Sequence, residues 1–265
     1  MKILLIGCGH MGGAMLAGWL KRPDIERIDV VDPTATSPAD ERVHMHTVIG
    51  PAVTNPDIVV LAVKPQVMRE ACEQIAPHLA ADTPVVSIAA GVPLTRLVTL
   101  LGAARPYIRV MPNTPGAIGK GISGFYANEK TTAEQVAIVE GLLSALGTFV
   151  QVPDEKLIDA ITAVSGSGPA YVFALTEAME AAAIAIGLPP ELAGQLAKET
   201  VIGAASLMES DKSLKPQDLR RSVTSRGGTT EAALDVLSKN QDLEKLMIEA
   251  VKAAFRRSQE LAQSQ

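Results

Sequence analysis

The run Lys2-Ile3-Leu4-Leu5-Ile6 leads directly into Gly7-Cys8-Gly9-His10-Met11-Gly12, all within the first twelve residues. No other feature narrows the fold as much. An apolar run bounded by glycine reads as a strand buried on both faces of a parallel sheet. Gly7 then permits a tight turn, Gly9 lets backbone approach a pyrophosphate, and Gly12 allows the next helix to pack closely on the sheet. The N-terminus of that helix offers unpaired N–H groups and partial positive charge to an anion. A second apolar run, Ile28-Asp29-Val30-Val31, ends in Asp32, about 20 residues past Gly12, where dinucleotide-binding folds place an acid.

The first half continues this alternation. Strands are expected at Lys2–Gly7, Ile28–Asp32, Ile58–Val63, Pro84–Ala89 and Tyr107–Met111, then at Ile122–Ala127 and Thr148–Val152. Helical patterns fall at Met11–Lys21, Gln66–Leu79, Leu94–Leu101 and Ala133–Leu146. The link from Asp32 to Ile58 is short and turn-like over Thr34–Pro38, so a full helix is not expected there. Alternation of this kind argues for a parallel sheet with right-handed crossovers. After Pro153 strand signals stop. Helices are expected at Pro169–Ile186, Glu191–Met208, Pro216–Ser222, Thr230–Lys239 and Leu243–Ala262. The chain thus divides into 1–153, an α/β dinucleotide-binding domain, and 154–265, an all-α domain. The two central helices are apolar on more than one face, which a small helical domain cannot bury alone. A symmetric dimer through this half is expected.

Composition closes off other classes. Hydrophobic residues make up 47% and charged residues 20%, enough for a real core, and the net charge of −5 offers no footprint for nucleic acid or anionic lipid. Aromatic residues, at 3%, are too few for a base-stacking surface. Cys8 and Cys72 cannot build a disulfide framework, and no signal-peptide pattern opens the chain. Glu177 and Glu180 interrupt the longest apolar stretch, Ala170–Gly187, and argue against a membrane span. A cytoplasmic protein is expected. His44 and His46 would share one strand face, but a metal site needs a third ligand, and none stands near in sequence.

Ligands of open parallel sheets bind beyond the carboxyl ends of the strands. That rule gathers Gly7–Gly12, Asp32, Ala62-Val63-Lys64-Pro65, Ala89-Ala90-Gly91 and Met111-Pro112-Asn113 on one edge. Asp32 either accepts hydrogen bonds from the adenosine ribose or only opens a turn before Pro33. As a ribose acceptor it repels a 2′-phosphate, and no Lys or Arg follows before Arg42, which favours NADH over NADPH. Thr34, Thr36 and Ser37 could instead bind a phosphate. Lys64 is a snorkelled surface lysine or part of a stiff wall with Pro65 against the nicotinamide. Asn113 bonds the cofactor or caps its turn, and His10 touches the pyrophosphate or only solvent. In the second half, Ser165-Gly166-Ser167-Gly168-Pro169 reads as an N-cap before a long helix. Thr224-Ser225-Arg226-Gly227-Gly228-Thr229-Thr230 is a carboxylate cradle or a plain helix start. The helix after Gly168 carries no Lys, His or Asn in its first turns, as a ketone reductase would want. A substrate already positive, such as a protonated imine, needs no strong acid to accept hydride.

These segments together resemble the pyrroline-5-carboxylate reductase family over nearly the whole sequence. The carriers are Gly7–Gly12, Ala62-Val63-Lys64-Pro65-Gln66, Arg109-Val110-Met111-Pro112-Asn113-Thr114-Pro115, Ser165–Tyr171 and Thr224–Thr230. The resemblance implies an N-terminal Rossmann-type domain, an all-α dimerisation domain, and hydride transfer from NADH or NADPH to the C=N of 1-pyrroline-5-carboxylate, giving L-proline. It implies a dimer, sometimes a decamer, with sites completed by the partner chain. It further implies that Ser225, Gly227, Gly228, Thr229 and Thr230 hold the substrate carboxylate, with Thr230 meeting the ring nitrogen. Gly7, Gly9, His10, Met11, Gly12, Asp32, Ala62, Val63, Lys64, Pro65 and Asn113 would bind the cofactor. Asp32 departs from the hydroxyl or basic residue of many members. Two other readings make different demands. A hydroxy-acid dehydrogenase would want a lysine near Ala170–Glu177, and a non-catalytic dinucleotide-binding protein would leave Ser225–Thr230 without a ligand.

Overall fold

The computed structural model describes residues 1–34, 38–50, 55–211 and 213–263. By compactness it divides into two units, Met1–Pro169 with Ala253–Gln265, and Ala170–Lys252.

The first unit is built on one sheet in the order β3-β2-β1-β4-β5-β6-β7-β8. Its strands are β1 (Lys2–Ile6), β2 (Arg27–Val31), β3 (Val43–His46), β4 (Ile58–Leu61), β5 (Val85–Ser87), β6 (Tyr107–Met111), β7 (Gly121–Ala127) and β8 (Gly147–Gln151). The first six run parallel; β7 pairs antiparallel with β6, and β8 runs parallel to β7. Strand order reverses between β1 and β4, which creates the crevice where such sheets bind ligands. Alternate residues of β1 serve opposite faces. Ile3 and Leu5 pack with Met15, Leu16 and Trp19 of α1 (His10–Trp19) and Leu142 of α4 (Ala133–Ser144). Leu4 and Ile6 pack with Met68, Cys72 and Ile75 of α2 (Met68–Ile75) and Leu97 of α3 (Leu94–Leu101). A strand sandwiched this way has no polar face, which is why its sequence is an unbroken aliphatic run.

β3 was only implied in the sequence, by two histidines sharing a face. It forms beside β2, where His46 Nε2 lies 2.7 Å from an Asp29 carboxylate that Arg27 also grips at 2.8 Å. Burial pushes the Asp29 pKa up, but the bonds to Arg27 and His46 outweigh it and hold the carboxyl below its usual range. Among the described residues no group of three potential metal ligands gathers, here or elsewhere.

Strands end at Gln151, close to the expected change at Pro153, yet the compact unit runs on to Pro169. A buried ion cluster explains this difference from the expected 153/154 boundary. Arg109 on β6, 2% exposed, donates to Glu155 Oε1 at 3.2 Å and to Asp159 Oδ1 at 2.7 Å. Asp159 sits on α5 (Leu157–Ile161) and also accepts from Ser258 Oγ at 2.9 Å. Glu155 Oε1 takes the Leu94 N–H at 2.8 Å and so caps α3. These bonds bring α5 and the last turns of the C-terminal helix onto the sheet unit.

Ser165–Pro169 also differs from expectation. It is not a loop before a helix. A π turn, Thr162–Gly166, joins α5 to α6 (Gly168–Ala185), closed by Ser167 N–H to Thr162 O at 2.8 Å. The whole run Leu157–Ala185 is the one helix among the described residues long and apolar enough to cross a bilayer by length and composition. The second unit contains most of α6, then α7 (Pro190–Ser210), α8 (Pro216–Ser222), α9 (Thr229–Ser238) and the first turns of α10 (Asp242–Gln263). Large apolar side chains stand open in it, among them Phe173 at 63% and Val236 at 71% exposure.

Candidate functional site

The glycine loop after β1 follows from close packing. Gly7 has φ +89° and presses on β4's end, where a side-chain carbon would lie 2.8 Å from Ala62 O. At Gly12 a side-chain carbon would lie 2.4 Å from Gly7 O. Gly9 is the opposite case: nothing stands within 4 Å of where its side chain would be. Two glycines are thus demanded by the protein's own packing, and the middle one leaves an open approach to backbone. His10 and Met11 open α1, His10 exposed and Met11 half-buried.

A cavity of about 630 Å³ extends from this loop, lined by Gly7, Gly9, Asp32, Thr34, Lys64 and Glu70 among others. Ala62, Val63 and Lys64 border it, and Pro65 starts the short 3-10 turn that leads into α2. Asp32 Oδ2 accepts the Cys8 N–H at 2.7 Å, and its Oδ1 accepts both N–H and Oγ1 of Thr34 at 2.8 Å. The carboxylate therefore shapes the glycine loop besides facing the cavity. Burial first, and Asp32 second, push the Cys8 thiol up, so it stays protonated and unreactive. Thr34 Oγ1 is turned toward Asp32 rather than outward; Thr36 and Ser37 lie outside the described residues. Arg42, the next cation after Arg27, is spent elsewhere, on Leu20 O, Arg22 O and Asp40. That pairing lowers the Asp40 pKa to about 2.

Asn113 does not line this cavity. It is 8% exposed; its Nδ2 donates to Ser165 O at 3.1 Å and its Oδ1 accepts the Ile122 N–H at 3.0 Å.

The second glycine-rich segment lies in the other unit. Gly227 has φ +74°, Gly228 is the N-cap of α9, and Thr229 and Thr230 form its first turn. Gly228 N–H bonds Ser225 O at 3.1 Å. Ser225, Gly227 and Thr229 are exposed and Thr230 is half-buried. The sequence reading missed Glu231, whose Oε2 takes the Gly227 N–H at 2.6 Å. A Glu at the third helical position is the available signal for this, since it is where a capping carboxylate reaches back.

Two family models match separate parts of the chain. Residues 155–261 match the family described as "Pyrroline-5-carboxylate reductase dimerisation", and residues 2–91 match "NADP oxidoreductase coenzyme F420-dependent". A pyrroline-5-carboxylate reductase from Pseudomonas aeruginosa is 42% identical over 268 residues, covering 99% of this chain and 97% of its own. The solved pyrroline-5-carboxylate reductase of Coxiella burnetii superposes with a TM-score of 0.89 at 35% identity, covering 98% of both chains. That of Plasmodium falciparum, solved with NADP bound, gives 0.84 at 27% identity, with 99% of this chain and 98% of its own covered.

Proposed function

The chain belongs to the pyrroline-5-carboxylate reductase family, and from that premise we infer how its residues divide the work. It is an oxidoreductase that reduces the C=N of 1-pyrroline-5-carboxylate to L-proline with NAD(P)H, the last step of proline biosynthesis, and its helical half mediates self-association. The observation that ties this to the present residues is the loop at the switch point of the sheet. Gly7 and Gly12 are closed by packing while Gly9 stands open beside a cavity that carries an acid at the end of β2. The residues fit a dinucleotide.

When bound, the reduced nicotinamide supplies the hydride. The N–H groups at the start of α1, with Gly9, His10, Met11 and Gly12, hold the pyrophosphate. Ala62, Val63, Lys64 and Pro65 wall the nicotinamide side. The loop from Ser225 through Gly227, Gly228 and Thr229 to Thr230 binds the substrate carboxylate by amides and hydroxyls. Thr230 Oγ1 orients the ring nitrogen, which already bears a proton, so no strong acid is needed and water can keep that nitrogen in exchange. The dinucleotide-binding part is 1–153 and the dimerisation part 154–265, assembled as dimers and further as decamers in the cytoplasm. Partner chains cover the open apolar helices of the second half.

Asp32 favours NADH. Its carboxylate lines the cavity and would repel a 2′-phosphate there, the segment from Pro33 to Glu41 contains no Lys or Arg, and Arg42 is committed elsewhere. Initial rates on the cyclic imine with NADH and NADPH test reaction and preference together. We expect turnover with both and a higher kcat/KM for NADH. In Asp32→Ser the NADPH-to-NADH ratio should rise about tenfold, the factor that 1.4 kcal/mol of relieved repulsion gives. An unchanged ratio makes Asp32 a loop-shaping residue only, and no turnover with either cofactor overturns the reaction. Thr230→Ala should lower kcat on the order of a hundredfold, as loss of one positioned donor does, with cofactor affinity unaltered. Undiminished turnover in that variant would remove Thr230 from the chemistry.

A further inference from the structure

Pro169 sits one residue into α6, yet the helical run does not begin there; it arrives through α5 and the π turn. In a continuous helix the residue-169 amide would bond the carbonyl four residues back, Ser165 O. Proline has no such amide, and an interior proline costs the helix that bond. Here the carbonyl is satisfied from outside, by Asn113 Nδ2 at 3.1 Å, from a residue 52 positions earlier. The same side chain takes the Ile122 N–H at 3.0 Å through Oδ1, at the start of β7. One buried amide therefore ties three segments: the loop after β6, the start of β7, and the π turn. No other side chain of this size supplies both a donor and an acceptor along one edge. The turn itself rests on the end of β6, where a side-chain carbon at Gly166 would lie 3.4 Å from Met111 Sδ.

We propose that Asn113 is a positioning residue for the reaction: it replaces the amide that Pro169 lacks, and so fixes the π turn against the carboxyl end of β6. This rests on the reductase reading, because it is at that edge of the sheet that the nicotinamide acts. π turns concentrate at functional sites, and a small displacement there costs rate rather than binding. In this role Asn113 acts through the backbone groups of Ser165 and Ile122 that its amide engages.

The test is Asn113→Ala, Asn113→Asp and the double variant Asn113→Ala/Pro169→Ala. Each is assayed for kcat, KM for NAD(P)H and thermal midpoint. Asn113→Ala leaves Ser165 O without its donor, and kcat should fall about tenfold or more while the cofactor KM changes little. Asn113→Asp keeps an acceptor for Ile122 but loses the donor, so it should show the same fall. In the double variant residue 169 regains an N–H, and kcat and midpoint should both recover most of the loss. A double variant no better than Asn113→Ala, or wild-type kcat in Asn113→Asp, overturns the proposal. The coupling is also read in the midpoint. An inactive parent enzyme would therefore defeat the reductase reading, and with it the catalytic role, while the midpoint separately decided the Asn113–Pro169 link.

Discussion

Gly12→Ala should nearly abolish dinucleotide binding and also lower the thermal midpoint, whereas Gly9→Ala should weaken binding alone. The difference lies in what each new methyl meets. At position 12 it would stand 2.4 Å from Gly7 O and 3.3 Å from Ala62 Cβ. The first of these is backbone, which cannot swing aside, so α1 must lift from the sheet or the loop must open. Overpacking of this kind costs about 1–3 kcal/mol, and the displaced helix end no longer presents its N–H groups in register. Affinity for NADH and NADPH should drop together, on the order of a hundredfold. At position 9 the methyl enters open space, so the fold should hold. The pyrophosphate then loses its close approach, and affinity should fall about tenfold. Calorimetric titration of both variants, with melting curves, separates the two. A Gly9→Ala protein that binds normally would mean that ligand backbone contacts lie elsewhere in the loop.

Arg109→Met should destabilise the first unit by about 3–5 kcal/mol. Among the described residues the guanidinium is the one cation paired with Glu155 and Asp159. Removing it leaves two poorly solvated carboxylates facing each other. Each anion has a second duty, Glu155 capping α3 and Asp159 holding Ser258. The loss should therefore spread to the C-terminal helix, and the midpoint should drop by about 10 °C, taking 2–4 °C per kcal/mol for a protein of this size. A shift under about 2 °C would show that solvent relieves the pair, as at surface ion pairs.

The parallel sheet was legible because its strands are buried on both faces, so Leu4 and Ile6 had to be as aliphatic as Ile3 and Leu5. The glycine loop was legible because Gly7 and Gly12 each answer to a backbone contact and Gly9 to open space. The π turn was not. Ser165, Gly166 and Ser167 favour loops and caps by local preference, and the Ser165 carbonyl takes its hydrogen bond from Asn113, remote in sequence. Glu231 escaped notice for the converse reason: its local signal was present but read as an ordinary helix start. β3 was half-visible, since its histidines alternate but its pairing with β2 lies with residues distant in sequence. The residues of Ser225–Thr230 suit a carboxylate cradle and a plain helix start equally by their chemistry, and it is the family resemblance that favours the cradle.

The first unit is discontinuous in sequence, and this sets the order in which it can mature on the ribosome. Residues up to Pro169 emerge first, but Asp159 waits for Ser258, 99 residues later, and Gly91 for Leu261, against which it packs. At about 5–20 residues per second, that interval is on the order of ten seconds of synthesis. During it Gly91 lacks the Leu261 contact while the apolar helices of the second unit leave the exit tunnel. The closing contacts are among the longest-range in the chain, and they can form only after Leu261 has left the ribosome.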